Sequence, residues 1–174
     1  VEIAYADAHI DLGEDRVILA PRTLAKLLET LNIGREDLVL DIGAGMGYSS
    51  AVISHIAEAV VAVEDDTARV SEAQALLSDH NADNVILHEG PLTEGAAEHA
   101  PFDALIVQGA VERLPETLID QVKDGGRIAC IFVEDGLGVA RLGYKIDGAV
   151  NWRFSFNASA PVIAGFEKAR VFEL

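Results

Sequence analysis

A single cysteine, Cys130, stands in the 174 residues, so no disulfide can close within the chain and a disulfide-stapled scaffold is excluded. That usage agrees with a reducing compartment, and a cytoplasmic location is expected. Cys130 lies in the apolar run Ile128-Ala129-Cys130-Ile131-Phe132, the setting of a core thiol rather than of a nucleophile. Positive charge is the second shortage: 13 Lys plus Arg face 29 Asp plus Glu, a formal net charge of -16. A surface of that sign repels phosphate backbones and anionic lipid, so neither nucleic acid nor a membrane is expected as a partner. It favours cationic ligands, and it also serves solubility. No run approaches the ~20 apolar residues of a membrane span, and the first residues lack the basic-then-apolar order of a secretory signal. His9, His55, His80, His88 and His99 lack the short spacing of a zinc motif and have no second cysteine beside them, so no metal is expected. Repeats and low-complexity tracts are absent.

Half of the residues are hydrophobic, enough for one sizeable core, and the length fits one domain over 1–174, since domains typically hold about 100 to 150 residues. The chain starts at Val1 without a methionine, and a preceding segment is expected. From Pro21, Leu24, Leu27, Leu28 and Leu31 follow a helical stripe. Strands are expected over Leu38–Asp41, Val60–Glu64, Val85–His88, Asp103–Val107 and Arg127–Val133. Helices are expected between them: Tyr48–Ala57, Ala68–His80 capped by Thr67, a short one over Glu94–His99, and one opened by Pro115 that ends at Asp124-Gly125-Gly126. A hairpin over Gly138–Ile146 and Ala149–Phe156 turns at Asp147-Gly148, its Trp152 and Phe154 packing on the sheet, and Arg170–Leu174 reads as a last strand. The near-continuous apolar strands imply burial on both faces. The fold class is therefore α/β, a Rossmann-like doubly wound, mostly parallel sheet ending in an antiparallel hairpin.

Within that pattern one stretch carries chemistry. The strand Leu38-Val39-Leu40 ends in Asp41, and Gly43, Gly45 and Gly47 follow at every second position before a helix start. An acid buried at a strand tip is costly unless paired, and the glycines let a backbone approach a ligand closely. A dinucleotide fingerprint would place its third glycine where Tyr48 stands, and no Gly-Lys-Ser/Thr follows for a phosphate loop. The next strand ends in Glu64, 23 residues after Asp41, close to the interval of about 20 at which nucleotide sites place a ribose-binding acid. Ser49 and Ser50 stand at the helix start, able to cap it or to bond a ligand carboxylate. Asp65 and Asp66 read as loop and helix-start acids.

Asp-x-Gly-x-Gly-x-Gly resembles the pattern of S-adenosylmethionine (SAM) methyltransferases, in which the acid faces the cationic amino acid moiety of the cofactor. The order of segments is similar to that of the protein-L-isoaspartate O-methyltransferase family. The likeness runs from Ala4-Tyr5-Ala6-Asp7 through Leu12-Gly13-Glu14 and Pro21, across the glycines, to Pro101-Phe102-Asp103-Ala104, Leu114-Pro115-Glu116-Thr117-Leu118 and Lys123-Asp124-Gly125-Gly126-Arg127. It implies methyl transfer from SAM to the isoaspartyl carboxylate of a damaged protein or peptide, with Asp41, Gly43, Gly45, Gly47, Tyr48, Ser49 and Glu64 holding the cofactor. It names no catalytic side chain. A carboxylate acceptor is already ionised at neutral pH, and rate would come from alignment.

The departures are specific. Where the family has Gln-Thr-Ile-Ser before its proline, this chain has Arg16-Val17-Ile18-Leu19, without the hydroxyls. After the fourth strand the family's Gly-Asp-Gly, whose acid lies near the adenine, is replaced by Gly90-Pro91-Leu92. Gln108-Gly109-Ala110-Val111-Glu112-Arg113 puts bulk and charge where a peptide should enter. These features leave an alternative open: a catalytically degenerate homologue that keeps the fold as a binding or structural module.

Overall fold

The computed structural model describes residues 7–169. Its centre is a seven-stranded sheet made of β3 (Leu38–Ile42), β4 (Ala59–Glu64), β5 (Val85–Glu89), β6 (Phe102–Val111), β7 (Val122–Glu134), β8 (Leu137–Ile146) and β9 (Ala149–Asn157), in the order β5-β4-β3-β6-β7-β8-β9. The first five strands in that order run parallel, and β7, β8 and β9 follow one another as an antiparallel meander. A separate two-stranded ribbon, β1 (Ile10–Gly13) with β2 (Arg16–Ile18), precedes the sheet.

Period-2 alternation divides the core. Leu40, Ile42, Val61, Val63, Leu105 and Val107 point to one face, packed against Leu118 and Ile119 of α4 (Glu116–Asp120) and against Leu92, Ile163 and Phe166. Val39, Val60, Ile106 and Ile131 point to the other, where Leu24, Leu27 and Leu31 of α1 (Pro21–Leu31) and Ile53 of α2 (Tyr48–Ser54) cover them. Ala73 and Leu77 of α3 (Thr67–Asp79) bury against the edge of that face. The sheet is thus mostly parallel and covered on both sides, as its apolar strands require.

Several boundaries differ from the sequence reading, each for a local reason. Asp66, not Thr67, caps α3, its side chain accepting from the Arg69 N–H at 2.8 Å. α2 stops at Ser54, and only Ala97–His99 is helical in the segment expected over Glu94–His99, as a 3-10 turn. β7 begins at Val122: Asp124-Gly125-Gly126 does not simply end a helix but bulges within the strand, between the pairs Phe102↔Val122 and Ala104↔Arg127. The meander is longer than the expected hairpin, because Asp135-Gly136 repeats the left-handed pair of Asp147-Gly148, with φ of 50° and 78° against 51° and 78°. Such turns match the twist of paired strands. Trp152 packs edge-on against Phe132, whereas Phe154 is 66% exposed. The ribbon β1–β2 was not foreseen. Arg170–Leu174, expected as a strand, lies outside the described residues.

Lys145 shows how the meander is tied to the parallel half. Its ammonium is buried and donates to the carbonyls of Ile119 and Val122, each at 2.9 Å, at the C-terminal end of α4. Lys145→Met removes both donors and leaves buried carbonyls unmatched, at a cost of about 1–3 kcal/mol. Urea unfolding is expected to show a lower midpoint with an unchanged slope.

Candidate functional site

Ligands of open α/β sheets bind outside the carboxyl ends of the strands where the order reverses, here between β3 and β6. Strand alternation sends Asp41, Glu64 and Gln108 to the same face there, in phase with Val39, Val60 and Ile106. All three polar side chains are buried. Gly43, Gly45 and Gly47 take φ of 78°, 59° and 87°, left-handed values that favour glycine. The N–H groups of Gly43 and Ala44 donate to the Val63 carbonyl at 2.9 and 3.1 Å, fastening the loop to β4 before Gly47 opens α2.

Asp41 has no solvent exposure and is fully partnered from within. Its Oδ2 accepts from Ser49 Oγ at 2.6 Å and Ser50 Oγ at 2.5 Å, and its Oδ1 from Gln108 Nε2 at 2.7 Å. The serines therefore lock the acid. Burial raises the Asp41 pKa above the ordinary carboxylate value; the three hydrogen bonds oppose this only in part, and the Glu64 charge adds to it.

Glu64 is equally buried but faces cations. Arg16 Nη2 donates to Oε2 at 2.6 Å and Nη1 to Oε1 at 3.1 Å, while the Gly45 N–H donates to Oε2 at 2.7 Å. Arg69 Nη1 reaches Oε1 at 3.4 Å. Burial pushes the Glu64 carboxyl up, but the Arg16 hydrogen bonds and charge, with the Gly45 amide, outweigh it and hold the group below its ordinary value.

Arg16 itself, at the start of β2, is only 4% exposed. Its guanidinium lies over the glycine loop: a Cβ on Gly43 would stand 3.1 Å from Nη2 and 3.6 Å from Ile163 Cδ1. Leu12 of β1 covers the next glycine, with Cδ1 2.9 Å from a Cβ on Gly45. An apolar cleft of about 190 Å³ runs past Met46, Gly47, Tyr48 and Leu77, whereas the space on the Gln108 side of the loop, bounded by Leu19, Gly43, Ala44, Tyr48 and Gln108, encloses about 10 Å³. That is close to the minimum for one water, against about 300–1,000 Å³ for small-molecule sites. The donor types suit a SAM-like ligand; the space beside Gly43 and Gln108, in this arrangement, does not hold one.

The predicted residues Asp41, Gly43, Gly45, Gly47, Tyr48, Ser49 and Glu64 thus do converge on one loop, with Tyr48 44% exposed at its rim. Leu19, where the resemblance implies a hydroxyl, is buried in one core, and Leu92, next to Pro91 at the position of the family's acid, is buried in the other. Sequence reasoning missed Arg16, Arg69, Gln108 and Ile163. Gln108 had a signal, its pleat phase with Ile106, while Arg16 pairs with Glu64 across 48 residues and had none. Cys130 is buried and its thiol is pushed up by that burial, as expected of a core residue. Among the described residues, folding brings His88 Nδ1 and His99 Nε2 to 3.3 and 3.4 Å from Glu98 Oε1. Histidines scattered in sequence are not all scattered in space, but Glu98 is 66% exposed at its side chain and the group is a cluster of polar side chains at the surface.

The two acids titrate with opposite signs. Glu64, depressed on folding, contributes stability above its unfolded pKa that is lost as pH falls through the folded one. Asp41, raised on folding, removes stability as pH climbs from its unfolded to its folded pKa. In urea unfolding across a pH series, wild type is expected to lose stability relative to Asp41→Asn as pH rises through that second window.

A family model described as Protein-L-isoaspartate(D-aspartate) O-methyltransferase matches residues 1–148. A protein-L-isoaspartate O-methyltransferase of Roseiflexus castenholzii is 39% identical over 125 residues, which cover 72% of this chain and 57% of that protein. One from Pelotomaculum thermopropionicum is 36% identical over 127 residues, covering 73% and 56%. The chain thus spans little more than half the length of these curated relatives. Among solved structures, a protein-L-isoaspartate O-methyltransferase superposes with a TM-score of 0.84 at 26% identity, covering 94% of this chain and 55% of that one. A Plasmodium falciparum protein assigned to the same family, in complex with S-adenosyl-L-homocysteine, superposes at 0.76 with 21% identity over 93% and 82% of the two chains, a likeness of fold. With the sheet order, the glycine loop and the matched residues in agreement, the chain belongs to the protein-L-isoaspartate(D-aspartate) O-methyltransferase family.

Proposed function

We propose that the chain is the cofactor-binding body of a SAM-dependent methyltransferase that acts on isoaspartyl carboxylates of damaged proteins or peptides. One observation carries the reading: three left-handed glycines lie at the point where the strand order reverses, between a buried acid on β3 and another on β4. The Plasmodium falciparum relative held with S-adenosyl-L-homocysteine supports the choice of cofactor. No helix of the described residues is long and apolar enough to cross a membrane, in keeping with a cytoplasmic setting and a protein substrate.

This chain's own part in the reaction is positional. Asp41, Ser49, Ser50 and Gln108 hold the tip of β3 to the start of α2 and to β6, so the loop is fixed before a ligand arrives. The acceptor supplies its own nucleophile, since a carboxylate with a pKa near 4 is ionised at pH 7. No side chain is needed as a base. Because the space beside Gly43 and Gln108 has room for about one water, no chemical step is assigned to the closed arrangement.

A second reading, a family member that keeps the fold as a binding or structural module, is favoured by that same closure. Incubation with methyl-labelled SAM and an isoaspartyl peptide separates the two. The leading reading expects labelled methanol on base hydrolysis of the product and none from the ordinary aspartyl peptide. Absence of label from both peptides at millimolar SAM would remove it.

A further inference from the structure

Glu64 is the acid that the cofactor reading assigns to ligand hydroxyls, yet it has nothing left to offer them. A carboxylate has about four acceptor sites. Glu64 Oε2 already receives Arg16 Nη2 and the Gly45 N–H, and Oε1 receives Arg16 Nη1, Arg69 Nη1 and the amides of Asp65 and Asp66 at 3.2 and 3.3 Å. Space agrees with this count, because the guanidinium fills the volume beside Gly43 that a ligand would need. On its outer side Arg16 lines a cleft of about 90 Å³ with Glu14, Asp65, Arg69 and Ile163.

The element that delivers Arg16 is built to move more readily than the sheet. β1 and β2 are strands of four and three residues outside the seven-stranded sheet, and an isolated two-stranded ribbon is marginal alone. Beyond the Arg16 pairs, the ribbon and its flanks are held by Val17, buried in the core on the α1 side, by Arg69 Nη2 on the Leu12 carbonyl at 3.0 Å and by His9, which bonds the Ala20 amide and the Ser159 carbonyl at 2.8 and 2.7 Å. Arg16 is not fully satisfied where it sits: its Nε is buried without a hydrogen-bond partner among the described residues, an unmade bond that weakens the closed form.

Resting on the cofactor reading above, we propose that Arg16 competes with the cofactor of its own chain. The ribbon β1–β2 is a strap whose guanidinium occupies the Glu64 subsite, and hydroxyls of the ligand reach Glu64 only as the strap lifts. Apparent affinity is then the intrinsic affinity scaled by the fraction of open strap.

The test is calorimetric titration of S-adenosyl-L-homocysteine into wild type and Arg16→Gln, with amide exchange of residues 10–18 followed in wild type. Arg16→Gln is expected to bind at least tenfold more tightly, and saturating ligand to speed exchange in the strap of wild type. Equal, measurable affinities would overturn the role of Arg16 and leave the cofactor reading standing. No binding by either protein at millimolar ligand would remove the cofactor reading and this proposal with it. Should Arg16→Gln fail to fold, wild-type exchange decides: strap amides that slow or stay unchanged on ligand binding contradict the proposal.

Discussion

The buried ion pair between Arg16 and Glu64 is the contact on which the rest of the site depends. Taking both groups out of water is costly, and such a pair is weak support for stability compared with apolar packing. Losing one partner is another matter, since a buried charge left alone costs about 3–5 kcal/mol. The pair thus does less to stabilise the molecule than to fix an arrangement. It fastens a ribbon near the start of the chain to the tip of β4, shares Glu64 with the Gly45 amide, and brings Leu12 down over Gly45.

The two acids at the sheet tips solve burial differently. Asp41 is surrounded by neutral donors, two hydroxyls and an amide, and is pushed toward the protonated form. Glu64 is surrounded by cations and amides and is held ionised. Both turn inward. Leu19, where the family has a hydroxyl, and Leu92, next to the position of the family's acid, instead complete the two apolar cores. The backbone of the glycine loop is retained while the acids beside it are consumed by internal partners, Asp41 by α2 and β6 and Glu64 by the ribbon.

Much of this fold was legible because burial leaves a periodic trace. The apolar strands, the leucine stripe of α1 and the Asp147-Gly148 turn each state their conformation locally, and Asp41, Glu64 and the glycines fall where local pattern puts them. What escaped notice depended on distant partners. Arg16 reads only as a departure from the family's glutamine until β2 carries it across 48 residues to Glu64. The ribbon itself was hidden because Gly13, Glu14 and Asp15 form a left-handed turn between strands too short to show alternation. Gln108 was read as an obstacle to substrate, when its pleat phase makes it a partner of Asp41. The extent of β7 was missed because its Gly-Gly bulge looks locally like a helix end.

The claim that Arg16 stands in the place of a ligand is tested most directly by crystal structures of the same chain with and without S-adenosyl-L-homocysteine. Without ligand, the account requires the guanidinium against Glu64 and over Gly43; with ligand, it requires the ribose hydroxyls on Glu64 and Arg16 moved away with its ribbon. A ligand seated on the glycine loop beside an intact Arg16–Glu64 pair would contradict it.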